Sequence, residues 1–212
     1  MSNSLAIATV TEALRRHIAN SLGPEITFAV DVAARKPPAD PPTDPTITVF
    51  LYQVTPNASR RNADAPTRAT DGTVLTRPAA ALDLHYLISC YGEESELVSQ
   101  RLLGSVVRTL HEFPVLPVPL IEEAAALPHL QGSDLAEAAQ RIRFTPTSMD
   151  IDDTSKLWGM LYQTPYALSL CYQGVLVLID GRSEPVAGKP VQTRTVRAVP
   201  STVQSTGQPV TG

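Results

Sequence analysis

The stretch "TITVFLYQV", residues 46 to 54, carries the strongest strand signal in the chain. It is apolar at both odd and even positions, and it is rich in the β-branched and aromatic residues that strands favour. A strand with apolar side chains on both faces is expected in the middle of a sheet, covered on both sides. The sequence therefore predicts a central strand here, with other elements packed above and below it.

Other segments extend this predicted sheet. "ALDLHYLISCY" (81 to 91) reads as a second strand, and "PYALSLCYQGVLVLID" (165 to 180) as one long strand or two, bent near Gly174. Weaker patterns predict a half-buried strand in "ITFAVDV" (26 to 32) and a brief one in "RIRFTP" (141 to 146).

Helical patterns alternate with these strands. Residues 4 to 21 repeat apolar side chains at helical spacing and stop at Gly23 and Pro24. Three acidic residues from Glu93 onward predict the start of a helix that runs to about residue 112, because carboxylates suit the positive end of the helix dipole. Its predicted buried stripe is Leu103, Val106, Val107 and Leu110.

Shorter helices are predicted further on. "LIEEAAAL" is one, and Ser133 is expected to cap another over 134 to 140. After Ser148, the acidic run "DIDD" and an apolar stripe predict a further capped helix. That stripe is Ile151, Trp158 and Leu161. Together the patterns predict an α+β fold: a single domain over 1 to 182, with a mixed β-sheet and packed helices.

Composition and charge narrow the function. The chain has 212 residues and a net charge of −4, yet the segment 183 to 212 is basic, so the body is acidic. An acidic body disfavours nucleic-acid and membrane-surface binding, which depend on Lys and Arg. The N-terminus lacks a signal-peptide pattern, which leads us to expect a cytoplasmic protein. The proline-rich segment 35 to 45 is expected to be a stiff, exposed connection.

Catalytic and metal-binding motifs are absent from the sequence. The four histidines are scattered, and no GxSxG, GxGxxG or P-loop pattern occurs. Cys90 and Cys171 lie in apolar strings and are expected to be buried free thiols. The residues therefore indicate no metal site and no cofactor, and they provide no recognisable catalytic motif.

The polar segment 55 to 80 is the main candidate for function. It contains four arginines and two acids, and long loops in compact domains usually have a use. A basic loop on an acidic body suits the acidic patch of a protein partner. The four are Arg60, Arg61, Arg68 and Arg77. The alternative is a small cytosolic enzyme or ligand-binding protein that uses a cleft beside this loop.

Six segments in order resemble one family. They are "MSNSLAIATVTEALRRHI", "ITVFLYQVTPNASRRN", "LDLHYLISCYG", "RLLGSVVRTLHEFPVL", "SKLWGML" and "YALSLCYQGVLVLID". Together they resemble the tail-terminator, or cap, proteins of extracellular contractile injection systems of the antifeeding-prophage and virulence-cassette type.

The resemblance implies a structural protein, not an enzyme, that closes the distal end of a tube and sheath as a six-fold ring and stops polymerisation. Its partners would be other copies of itself and the tube and sheath proteins, in a particle that is assembled in the cytoplasm and then either stays there or is released. The family signature falls on Tyr52, Thr55, Pro56, Asn57, Arg61 and Asn62, which would belong to a contact surface.

The basic segment 183 to 212 lies beyond the resemblance. It carries valines spaced among Thr, Gln and Arg but few bulky side chains, so we expect a flexible or conditionally ordered arm. Arg194 and Arg197 are expected to contact a partner from this arm.

Overall fold

A computed structural model of the chain describes residues 2–60, 68–138 and 141–184. These residues form one α+β domain with a five-stranded mixed sheet. The helices are α1 (Ala6–Asn20), α2 (Val98–Glu112), α3 (Val118–Ala125) and α4 (Ile151–Met160), with a short 3-10 helix at Leu135–Glu137. The strands are β1 (Asp31–Ala33), β2 (Thr46–Pro56), β3 (Ala79–Tyr91), β4 (Arg143–Thr147) and β5 (Ser169–Asp180).

The three long strands form the centre of the sheet, as their apolar sequences predict. The strand order is β1-β2-β3-β5-β4, in which only β1 and β2 are parallel. The register of β3 against β5 shifts between Leu82 and Leu84, beside Leu176, whose φ of 67° is left-handed. The irregularity expected near Gly174 is therefore present, within one continuous strand.

Helices cover the two faces of the sheet unequally. On one face, α1, α2 and α3 bury a large core that includes Leu14, Tyr86, Leu102 and Phe144, each at most 1% exposed. On the other face, α4 buries a small core against β3 and β5. That second core consists of Leu87, Leu157, Trp158, Leu161 and Cys171.

Helix α2 begins later than its acidic residues predicted. It starts at Val98, and its first turn contains no acidic residue. The Glu93 carboxylate instead accepts a hydrogen bond from the Ser95 hydroxyl at 2.9 Å, within a turn that ends at Leu97 in the left-handed region. The predicted stripe was also wrong in part: Val107 is 40% exposed, because the buried face runs through Leu102, Val106 and Leu110.

Three shorter predictions also need correction. Of the segment 26 to 32, only its end joins β1, although Ile26 and Phe28 do pack against the core. Ser133 caps no helix; its hydroxyl accepts a hydrogen bond from Thr9 at 2.8 Å. Ile151 is 85% exposed, because α4 turns only Leu157 and Trp158 towards the sheet.

The acidic start of α4 has the structural role that the sequence predicted. Asp150 is the N-cap residue, and its carboxylate accepts the backbone N–H of Asp153 at 2.7 Å. Asp152 and Asp153 occupy the first turn, where the helix dipole favours negative charge. The run "DIDD" is thus a helix start, and Ser148 lies outside it.

Candidate interaction surface

The segment after β2 is organised by a buried asparagine. Asn57 is 5% exposed, and its side-chain oxygen accepts the backbone N–H groups of Ser59 and Arg60, both at 3.1 Å. Its amide nitrogen donates to the Asp83 carboxylate at 2.8 Å. These bonds fix the direction in which the chain leaves the sheet and enters the basic loop.

Asp83 connects this loop to the last strand. The Asp83 oxygen that accepts from Asn57 also accepts the backbone N–H of Leu176 at 2.9 Å. It lies at the shift in register between β3 and β5, so it holds an irregular backbone position in place. A buried carboxylate needs such donors, because an unpaired charge away from water is very unfavourable.

The sequence did not predict the hydrogen bond between Asn57 and Asp83, because 26 positions separate the two residues. One signal was present: Asp83 is the only acidic residue in a strand of mainly apolar residues. Such a residue is buried only when donors surround it.

The other signature residues line the same end of the sheet. The Thr55 hydroxyl lies 2.9 Å from His85 Nε2, and the Tyr52 ring lies 6.1 Å from the His85 ring. Burial raises the pKa of Tyr52 to about 12, with a further contribution from Cys171, so Tyr52 keeps its proton. Burial also lowers the pKa of His85. Pro56 is exposed. These side chains therefore present a neutral surface beside the loop.

The arginines of the loop differ in exposure and in the groups that they contact. Arg60 is exposed, whereas Arg77 contacts two acidic residues at the end of β5, Asp180 at 4.0 Å and Glu184 at 3.8 Å. Arg68 is exposed and donates to the Gly72 carbonyl at 3.1 Å, across a tight turn. The remaining candidates, Arg61, Asn62, Arg194 and Arg197, lie outside the described residues.

A groove does lie beside the loop, as the alternative function requires. It has a volume of about 600 Å³ and contains Tyr52, His85, Asp153 and Lys156. Lys156 forms an ion pair with Asp153 at 3.9 Å. The groove thus offers polar groups, but His85 is bonded to the Thr55 hydroxyl, and the nearby Asp83 carboxylate is held by Asn57 and the Leu176 backbone.

The cysteines do not supply a nucleophile elsewhere. Cys90 and Cys171 are buried free thiols, as predicted. Burial raises the pKa of the Cys90 thiol to about 12, and it raises that of Cys171 as well, so both stay protonated and unreactive. Within the described ranges, no three His, Cys, Asp or Glu side chains are grouped to hold a metal ion. Nor does any helix there have the length and hydrophobicity needed to cross a bilayer.

Solved structures share this fold. The sheath/tube terminator of an extracellular contractile injection system, PVC, in its extended state matches with a TM-score of 0.53 and 18% identity over 95% of this chain. The tube-terminating cap of the anti-feeding prophage matches with a TM-score of 0.56 and 18% identity over 89% of this chain. The chain spans less than two thirds of either structure, 64% and 60% of their lengths.

Comparison of the sequence with protein-family models also identifies the family. No curated protein matches the chain. The family model described as the Pvc16 N-terminal domain matches residues 9–193, which is most of the chain. The resemblance stated from the six segments is confirmed by this match and by the two structures. The chain therefore belongs to the Pvc16 N-terminal domain family.

Proposed function

We propose that this protein closes the distal end of a contractile injection particle as a six-fold ring and terminates polymerisation of its tube and sheath. The observation that carries the proposal is the family match over residues 9–193, joined to a fold shared with a sheath/tube terminator and a tube-terminating cap. The role is structural, and the protein is not an enzyme in this proposal. Assembly takes place in the cytoplasm.

In this proposal the basic loop contacts the particle. Asn57 and Asp83 fix the base of the loop, so the exposed Arg60 is presented in a defined direction. Tyr52, Thr55 and Pro56 form the neutral part of the contact. Arg61, Asn62, Arg68 and Arg77 extend it, and Arg194 and Arg197 add to it from the basic arm 183 to 212.

The test is particle length. In cells that lack this protein, sheaths should be irregular in length, and supplying the protein should restore a uniform length by negative-stain electron microscopy. Irregular sheaths that persist after full-length protein is supplied would contradict a terminator role.

The loop is tested by reversing its charge. Arg60→Glu combined with Arg61→Glu should leave the melting temperature unchanged, because exposed charges contribute little to folding. Capping should be lost if the loop is the contact. Arg182→Glu, which changes an exposed arginine outside the loop, is the matched control and should cap normally. Normal capping by the double variant would exclude the loop as the contact.

A further inference from the structure

Helix α4 and the segment after it expose an unusual set of large apolar side chains. Ile151 is 85% exposed, Met160 70%, Tyr162 78% and Tyr166 63%. Ile151 and Tyr166 lie together on one flank of α4, whereas Met160 lies on the opposite flank, in the groove that contains Tyr52 and His85. We call the flank with Ile151 and Tyr166 the α4 surface. Single exposed apolar residues are ordinary, but a group of them on one element marks a site of interaction.

A hollow in the surface lies beside α4, and Asp150, Thr154 and Ser155 form its polar wall. The hollow has a volume of about 650 Å³ and is also lined by Met149, Ile151, Trp158 and Tyr166. Trp158 is 6% exposed, and its ring meets Tyr166 edge-on with centroids 5.3 Å apart. Its indole N–H has no acceptor among the described residues, whereas buried indole groups normally have one. The hollow therefore offers an apolar wall, formed by Met149, Ile151 and Tyr166 beside Trp158, to a side chain of a partner.

The rim of the α4 surface is acidic. Asp150, Asp152 and Asp153 lie at the start of the helix, and Lys156 pairs with Asp153. An occupant that is apolar at its centre and basic at its edge would match this pattern.

The same chain presents such a partner on another surface. A groove of about 580 Å³ is lined by Ile7, Ala8, Val49 and Leu51, with Arg35 and Lys36 on its rim. We call this the α1–β2 groove. Glu12 also lies there, but Arg15 and Arg16 pair with its carboxylate at 2.7 and 2.9 Å. Arg35 forms an ion pair with Asp31 at 3.8 Å, whereas Lys36 is exposed and has no ion pair in the part of the chain that the structure describes.

We propose that the α4 surface of one copy docks into the α1–β2 groove of the next copy. Two different patches then meet, which is the head-to-tail contact that closes into a ring. A stable contact needs about 500 Å² from each partner, so residues around Ile151 and Tyr166 also take part in it. The proposal rests on the ring of the proposed function and names its interface.

Charge exchange tests the pairing. Asp152→Lys and Lys36→Glu should each weaken association at least about tenfold, because like charges then face each other. Mixed in equal amounts, the two variants should associate again, since each mutant patch meets its complement on the other variant. A mixed ring closes only with an even number of subunits, as six allows. Asp40→Lys, an exposed charge change outside both patches, is the control and should behave as wild type.

Crosslinking tests contact directly. Ile151→Cys and Ala8→Cys in one chain provide two accessible thiols, because Cys90 and Cys171 are buried. A short bifunctional maleimide should give a ladder of covalent oligomers from this variant, on capped particles and in concentrated protein, but only single chains from Ile151→Cys alone. Failure of the ladder, or failure of the mixed variants to associate, would overturn the pairing.

Trp158 supplies a third measurement, because it is the only tryptophan in the chain. Its fluorescence should shift when copies associate and stay constant when Lys36→Glu prevents association. Unchanged emission on association would contradict filling of the hollow. Normal capping without the crosslink would refute this interface and leave the proposed function standing. Conversely, a crosslink in protein that does not cap particles would support this interface and refute the proposed function.

Discussion

The two faces of the sheet differ in how completely the chain itself covers them. Three helices seal one face over a large core with residues such as Leu14 and Tyr86 at 0% exposure. One helix of ten residues covers the other face, over a small core, and leaves Ile151 and Tyr162 in solvent. The first face holds the fold together, whereas the second combines a modest structural role with the exposed surface that we assign to a neighbouring copy.

The largest effects of substitution should therefore lie in the larger core. Phe144 is 1% exposed, meets the Tyr86 ring edge-on at 6.0 Å and packs against Gly174. We expect Phe144→Ala to lower the free energy of unfolding by about 3–5 kcal/mol, through lost burial and the cavity left behind. The matched change on the other face, Trp158→Ala, should cost about 3 kcal/mol, at the lower end of that range, because its core is smaller.

Urea unfolding followed by circular dichroism measures both changes, since the signal does not depend on the removed tryptophan. An equal or larger loss for Trp158→Ala would show that the α4 face is as important for folding as the three-helix face. Trp158→Ala protein that melts like the wild type yet fails to associate would place Trp158 wholly at the interface.

The next largest effect concerns Asn57, at the start of the basic loop that follows β2. Asn57→Ala removes a donor from the buried Asp83 carboxylate and frees the backbone of Ser59 and Arg60. We expect a loss of about 1–3 kcal/mol in stability, the usual result of leaving one buried polar group short of a partner. Hydrogen exchange at the Leu176 amide should stay slow, because Asp83 still accepts it. Fast exchange there would show that Asn57 also holds the strand irregularity.

The sequence predicted the first face better than the second, for a physical reason. Strands such as 46–54 and 81–91 are apolar runs that reveal themselves locally, and β2 and β3 lie where they were predicted. Periodicity also located α4, but it cannot tell which apolar positions another element covers, so Ile151 was assigned to a core. The Asn57–Asp83 bond joins distant positions, which no local pattern reports.

A smaller effect should appear as the pH falls. His17 is a buried residue in the last turn of α1, with Nε2 bonded to the Phe113 carbonyl at 3.0 Å, and burial lowers its pKa. The unfolded chain then binds this proton more readily than the folded one, so stability is full above pH about 6.5 and decreases as the pH falls towards the lowered folded-state pKa. The melting temperature of His17→Gln should therefore depend less on pH between about 7 and 5.

The control for this pH effect is His111→Gln, which changes an exposed histidine on α2 and should keep the wild-type pH dependence. An identical pH dependence in wild type and His17→Gln would mean that other groups, such as His85 on the opposite side of the sheet, account for the acid sensitivity.

The smallest effect on folding should come from the most exposed residue of the α4 surface. Ile151→Ala removes a side chain that is 85% exposed, so the free energy of unfolding should change by less than about 0.5 kcal/mol. Association should weaken nevertheless, because this side chain lines the hollow beside Trp158 and Tyr166. The control is Leu97→Ala, which removes an exposed apolar side chain outside the α4 surface. Comparing the sedimentation of the two variants distinguishes a specific interface from a general effect of exposed apolar residues. If both variants associate like the wild type, the unequal coverage of the two faces is a feature of the fold alone. If only Ile151→Ala associates more weakly, a neighbouring copy completes the second face.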